Sequence, residues 1–522
     1  MGEALRLPPE LHDAQFNAAD YFIDRNVREG RGDKVAVHCE DRSFTYGQLQ
    51  AGVNRFGNAL RQRLDVRMEE RVALLLWDTE IFPQAFFGAI KIGAVPVCLN
   101  TLMRPRDYRY FLDDSRARVL VVESGLLDCI DELRGSLRFL EHVVVVNGAS
   151  KVASDIAWES LLADHSDALE AAPTSPDDAC FWLYSSGSTG QPKGTVHLQH
   201  DMVYSAEAFG KGVLGITEED VCYSAAKLFF AYGLGNNLYF PFSVGATAVY
   251  YPGRPTPDAV YATVAQHRPT LFYAVPTLYG QMLAHPEGSM EGVRLCVSAG
   301  EALPPDIFKR WRERFGLEIV DAIGSTEMAQ CFISNIPGQC RPGTTGKIVP
   351  GYEARIVDEN LRDVPRGEVG TLLIKGDSAA ACYWNKHEKT KQTMLGEWVN
   401  TGDKFFQDEE GYFHYAGRSD DMMKIGGIWV SPIEVEAAVI EHPAVLECAV
   451  VPAGDDRELI KPKAYVVLNE GETPSEALAQ SIKDHVKTVL AHYKYPRWVE
   501  FIDALPKTPT GKIKRFELRS RS

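Results

Sequence analysis

The stretch Tyr184-Ser185-Ser186-Gly187-Ser188-Thr189-Gly190-Gln191-Pro192-Lys193-Gly194 crowds hydroxyls, glycines and one ammonium together, directly after the apolar run 180–183. Glycine admits positive φ and close approach of a ligand, and backbone N–H groups, hydroxyls and a lysine suit the oxygens of a polyphosphate. The spacing departs from the P-loop: Pro192 stands where its second glycine belongs and Gly194 follows Lys193, so no helix starts there in the usual way. A flexible Gly/Ser linker does not carry Pro-Lys-Gly straight after a buried strand. Two later stretches, Val297-Ser298-Ala299-Gly300-Glu301-Ala302 and Asp321-Ala322-Ile323-Gly324-Ser325-Thr326-Glu327, read as strand ends breaking into glycine turns. Ligands of α/β sheets bind at such carboxyl ends, and the Glu327 carboxylate is a hard oxygen donor of the kind Mg2+ takes beside phosphates.

Other polar groups are ambiguous when taken singly. The pair His197 and His200 has metal-like spacing but reads more simply as an ordinary pair on a loop or helix, and it is assigned no metal. Asp403 and Arg418 read equally as solvated surface charges, and so does the basic run containing Lys507, Lys512, Lys514 and Arg515. The aromatic segment Lys227-Leu228-Phe229-Phe230-Ala231-Tyr232-Gly233 reads as core on composition.

In their order along the chain, these motifs resemble those of the adenylate-forming superfamily, which includes acyl-CoA and aryl-CoA ligases, adenylation domains and luciferases. The resemblance implies that Ser185, Ser186, Gly187, Ser188, Thr189, Gly190 and Lys193 hold the outer phosphates of ATP. It places Gly300, Glu301, Ala302, Asp321, Ala322, Ile323, Gly324 and Ser325 around the nucleotide, with Thr326 on the α-phosphate and Glu327 on Mg2+. Many members carry a tyrosine where this chain has Ile323. Asp403 corresponds to the ribose ligand, Tyr415 and Arg418 to neighbouring nucleotide contacts, and Asp420 to a hinge. Lys512 corresponds to the lysine of the adenylation step. After the small domain rotates, Lys424, Gly426 and Gly427 replace it and admit the pantetheine arm of CoA.

Phe230, Ala231, Tyr232 and Gly233, with Ala299 and Gly324, correspond to the wall of the acyl pocket, where Tyr232 offers a flat face and a hydroxyl. Over both pocket segments the chain resembles benzoate-CoA ligases, which usually read His-Ile where this chain has Gln330-Cys331. Cys331 leaves ring space, and the Gln330 amide offers an acceptor to an amino substituent. The expected activity is therefore that of a 2-aminobenzoate (anthranilate)-CoA ligase, with benzoate as the alternative acid. The chain runs about ten residues past Lys512 with no fused carrier domain, which favours CoA over a carrier protein as acceptor. Lys193, Glu327, Asp403 and Lys512 are all present, against a catalytically silent nucleotide-binding protein.

The elements that must position these groups are legible too. Thr45 and Gln48 form a capping box ahead of Leu49, Val53, Phe56 and Leu60, one face of a helix. The apolar run 72–77, a helical pattern through Phe82, Ala85, Phe86, Ala89 and Ile90, and the run 95–99 give β-α-β alternation. Runs 118–122 and 143–146 add strands apolar on both faces, as parallel sheets covered by helices require. The expected fold is a large α/β domain over 1–419 with buried sheets, plus a mobile α+β lid over 420–522. In the lid, 433–440 reads as helix and 446–451 and 463–467 as strands. At 522 residues and a net charge of −16, neither nucleic acid nor an anionic membrane is an expected partner. Ten scattered cysteines without a C-x-x-C pair, and no signal or membrane-spanning run, point to the cytoplasm. The expected partners are an aromatic acid, ATP and CoA, and a homodimer is compatible with the sequence.

Overall fold

A computed structural model describes residues 5–185, 192–418, 421–425, 428–454, 460–490, 494–507 and 513–521. The chain packs as two compact units. The first comprises Met1–Pro342, Gly346–Glu353 and Lys375–Val399, and the second Gly343–Thr345, Ala354–Ile374 and Asn400–Ser522.

Among the described residues, the first unit carries an eight-stranded and a nine-stranded sheet. The apolar runs of the sequence become adjacent parallel strands of the smaller one: Arg71–Leu75 pairs with Val95–Cys98 on one side and Val119–Glu123 on the other, and His142–Val146 lies beyond the latter. Both faces of these strands are buried, which is why they read as continuous apolar runs rather than alternating ones. Helix Tyr46–Gln62 starts at the Thr45 capping box, and Leu49, Val53, Phe56 and Leu60 are fully buried on it. Helix Ile81–Lys91 likewise buries Phe82, Ala85, Phe86, Ala89 and Ile90.

At one end of this sheet, Ala179–Ser185 pairs parallel with Val95–Cys98, and Lys193–Leu198 returns antiparallel beside it. The edge is closed by the short strand Cys382–Tyr383. In the nine-stranded sheet, Val221–Ser224, Leu271–Ala274, Leu295–Ser298 and Ile319–Gly324 run parallel, and Cys331–Ser334 turns back antiparallel on the last of them.

The second unit holds most of strands Glu353–Val357, Gly370–Lys375 and Trp398–Gln407, the last forming a hairpin with Phe413–Arg418. It continues into a three-stranded sheet, Val445–Gly454, Ile460–Leu468 and Trp498–Phe501, backed by helices Pro432–Ile440 and Glu476–Val489. The expected helix and both expected strands are present. The boundary expected at 419/420 lies between strand Phe413–Arg418 and helix Pro432–Ile440, and a Cβ on Gly417 would sit 3.5 Å from Pro432 Cδ. The fold is thus mixed α/β, with a large N-terminal and a small C-terminal part. Among the described residues no helix is long and apolar enough to cross a membrane.

Candidate active site

The phosphate-cradle stretch joins two antiparallel neighbours. Tyr184 is opposite Gly194 and Ser185 opposite Lys193, so a strand, not a P-loop helix, follows the lysine. Ser186, Gly187, Ser188, Thr189 and Gly190 lie outside the described residues. At the base of the hairpin four side chains converge. Tyr383 Oη donates to Glu327 Oε1 at 2.6 Å, Lys193 Nζ lies 3.2 Å from that hydroxyl and 4.0 Å from Glu327 Oε1, and Ser185 Oγ lies 3.4 Å from the same carboxylate oxygen. Lys193 and Glu327 remain partly exposed, so their charges face whatever enters. Tyr383 escaped the sequence reading. Its strand is two residues long, and only the pairing with Thr195 brings it beside Lys193.

The Thr326–Met328 turn is tied along its carbonyl side. His197 Nε2 donates to Thr326 O at 2.7 Å, Ala380 N to Glu327 O at 2.8 Å and Ser378 Oγ to Met328 O at 2.9 Å. Gly324 enters this turn so tightly that a Cβ would sit 2.5 Å from Gln330 O. Among the described residues no group of three or more His, Cys, Asp or Glu side chains could hold a metal. One carboxylate beside a lysine and two hydroxyls fits an Mg2+ that arrives coordinated by phosphates and keeps most of its waters.

The segments expected around the nucleotide base are neighbours, with Ser298 opposite Asp321 in the parallel pairing of their strands. Gly300 takes φ 88°, and Glu301 accepts from Thr277 Oγ1 at 3.1 Å. Gly300 is exposed, Glu301, Ala302 and Ile323 are half-buried, and Ala299 and Ala322 are buried. Three buried polar atoms here, Ser298 Oγ, Asp321 Oδ1 and Ser325 Oγ, have no hydrogen-bond partner among the described residues. Buried polar groups are usually hydrogen-bonded, so these three atoms have room for a further partner. Burial holds the Asp321 carboxyl well above the usual carboxylate range.

In the aryl-pocket segments, the short helix Ala231–Leu234 follows Phe230, and a Cβ on Gly233 would sit 2.1 Å from Lys227 O. Phe230, Ala231 and Tyr232 stay partly exposed, but the Tyr232 hydroxyl is turned inward, donating to Val297 O at 3.0 Å. The hydroxyl expected to face a substrate thus also braces the sheet, and the partly exposed ring stands as a wall. Gln330 is also buried and engaged: its Nε2 lies 3.1 Å from Tyr232 O, 3.4 Å from Ala231 O and 3.3 Å from Asn236 Oδ1. Its Oε1 accepts from the buried Cys331 thiol at 3.3 Å. Gln330 is thus a brace for the pocket helix as well as a potential acceptor, a double role that sequence spacing does not disclose.

Within the second unit, Asp403 and Arg418 are cross-strand partners bridged at 2.9 Å, and Arg418 also donates to Thr401 O at 3.0 Å. Tyr415 lies on the same strand as Arg418, and burial pushes its phenol up. Lys424 stands in strand Met423–Ile425, opposite Trp429. Gly426, Gly427, Asp420 and Lys512 lie outside the described residues. On either side of the Lys512 segment, Lys507 and Ile513 pair antiparallel, and Arg515 donates to the buried Glu436 at 2.8 Å.

Comparison with known proteins agrees with this arrangement. The AMP-binding enzyme family matches residues 23–384, and the AMP-binding enzyme C-terminal domain matches 434–512. A benzoate–CoA ligase from Thauera aromatica is 53% identical over 98% of each chain. Among solved structures, an anthranilate CoA ligase in complex with anthranoyl-AMP superposes with a TM-score of 0.93 at 46% identity over 98% of each chain. A benzoate CoA ligase from Burkholderia xenovorans gives 0.89 at 48%, covering 97% of this chain and 100% of the other. The chain belongs to the AMP-binding, adenylate-forming enzymes and is an AMP-forming acid–thiol ligase of their aryl-CoA branch.

Proposed function

We propose that this ligase converts benzoate, ATP and CoA into benzoyl-CoA, AMP and pyrophosphate. The observation that carries the choice of acid is the 53% identity to a benzoate–CoA ligase over nearly the whole of both chains. The engaged Gln330 amide supports it, since an ortho amino group would have to share the one oxygen that already accepts the Cys331 thiol. A second reading, 2-aminobenzoate, is favoured by the small Cys331 side chain and by the 0.93 superposition on the anthranilate CoA ligase.

A carboxylate is a poor acyl donor because oxide is a poor leaving group. In the first step its oxygen attacks the α-phosphorus, forming the acyl-adenylate and expelling pyrophosphate; in the second the CoA thiol attacks the acyl carbonyl and AMP leaves. The phosphates carry the charge that must be offset, so electrostatic stabilisation, rather than a covalent enzyme intermediate, is the main requirement. Lys193, Thr326 and Glu327 act on the phosphates, Mg2+ held through Glu327 would neutralise further charge, and Lys512 serves adenylation. Asp321 and Ser298 take the base, satisfying the unpartnered atoms there, and Asp403 and Arg418 take the ribose. Lys424 serves the second step, in which the thioester forms.

The test is kcat/KM for benzoate and 2-aminobenzoate, read as pyrophosphate release and as thioester formed on CoA. Higher kcat/KM for benzoate is expected. A preference for 2-aminobenzoate hands the assignment to the second reading, and pyrophosphate release without thioester on CoA would point to a carrier protein as acceptor.

A further inference from the structure

His197 is fully buried, in the strand that carries Lys193, and is absent from the chemistry above. Its ring stacks on Phe181 with centroids 4.8 Å apart and an interplanar angle of 11°. Nδ1 lies 2.6 Å from Asp201 Oδ2, and Nε2 lies 2.7 Å from the carbonyl oxygen of Thr326, 129 residues along the chain. Both ring nitrogens thus face oxygens, and the one at the Thr326 carbonyl, which can only accept, donates. Asp201 is itself fixed: it is buried, and Oδ2 accepts from Leu198 N at 3.1 Å. A core histidine that merely filled space would not need two directed bonds, one of them to the turn presenting Thr326 and Glu327. The ring ties the strand of Lys193 to that turn, setting the spacing between the lysine and the carboxylate.

We propose that His197, oriented by Asp201, is a positioning residue for ATP: it holds the Thr326–Glu327 turn at the distance from Lys193 that the phosphates and their metal require. The inference rests on the reading that these residues take the phosphates of ATP, but not on which acid is used. Outer-shell groups of this kind typically affect affinity about ten- to a hundredfold.

The experiment measures ATP binding by calorimetry in the presence of Mg2+ and absence of acid, together with KM for ATP and for the acid. His197→Phe keeps the aromatic bulk and removes both bonds; His197→Gln keeps an amide N–H for the Thr326 carbonyl. For His197→Phe we expect Kd and KM for ATP to rise about ten- to a hundredfold while KM for the acid stays within about twofold. His197→Gln should recover most of the loss. A purely structural role would lower the melting temperature without separating ATP from acid. Wild-type ATP affinity in a cooperatively folded His197→Phe variant, or equal loss of ATP and acid affinity, overturns the proposal. If that variant does not fold, Asp201→Asn replaces it: weakened ATP binding supports the proposal and unchanged binding overturns it. Wild-type enzyme that binds ATP but rejects benzoate would count against the choice of acid alone, whereas wild-type enzyme that binds no ATP would overturn both.

Discussion

Two regions of the first unit sit at the carboxyl ends of neighbouring structure and are built in opposite ways. Around Glu327 the side chains are charged and partly exposed, and the backbone behind them is tied by His197, Ala380 and Ser378. Around Gln330 the side chains are neutral and buried, and it is the side chain that ties the backbone of Ala231 and Tyr232. The first region acts through charge in a partly desolvated place, where each partner carries a large effect. The second acts through shape, and a difference of a methylene or so discriminates only weakly. Motif residues therefore identify the reaction more readily than they identify the acid.

The largest effect expected on the charged side is that of Lys512→Ala. Acyl-adenylate formation should fall on the order of a hundredfold or more, while thioester formation from supplied acyl-adenylate stays largely intact. Single-turnover assays of each half-reaction decide this, and equal damage to both would remove the division of labour between Lys512 and the Lys424 segment. Tyr383→Phe deletes the 2.6 Å bond to Glu327 but keeps the ring under Lys193. Hydrogen bonds to charged groups contribute about 1.5–3 kcal/mol, so a drop in kcat/KM for ATP of roughly ten- to a hundredfold is expected. An unchanged value would place Glu327 under the control of Lys193 and Ser185 alone.

On the neutral side the expected shift is smaller. The double change Gln330→His with Cys331→Ile fills space and alters the brace on the pocket helix, and should move the benzoate to 2-aminobenzoate ratio of kcat/KM by about tenfold toward benzoate. A constant ratio would show that selectivity resides around Ala231 and Tyr232. The smallest effect is one of stability. Burial raises the Asp321 carboxyl well above its unfolded value, so the stability it contributes is full below the ordinary carboxylate pKa of about 3.9 and is lost as pH rises through its folded value. Asp321→Asn removes that dependence. Relative to wild type, the ligand-free variant should gain stability in urea as pH rises from about 4. A difference that stays constant with pH would mean the carboxyl is not desolvated.

The sequence by itself determined much of the element order. The Thr45 capping box, the 3.6-residue apolar faces and the runs apolar on both sides are local patterns, and local patterns survive without knowledge of the partner strand. It also determined which residue types stand ready for phosphate chemistry, because Lys193, Thr326 and Glu327 occur in ordered motifs. What only the tertiary structure decided is how those groups are held. Tyr383 reaches Glu327 through an edge pairing across 56 residues, and His197 reaches Thr326 across 129. Such contacts depend on which strands become neighbours, and no local periodicity encodes that. The same reason explains the surroundings of two pocket side chains. The Tyr232 hydroxyl and the Gln330 amide read as groups offered to a ligand, and each also donates to a backbone carbonyl. A buried donor left unsatisfied is costly, so packing engages the N–H and O–H of these groups while their oxygens can still accept.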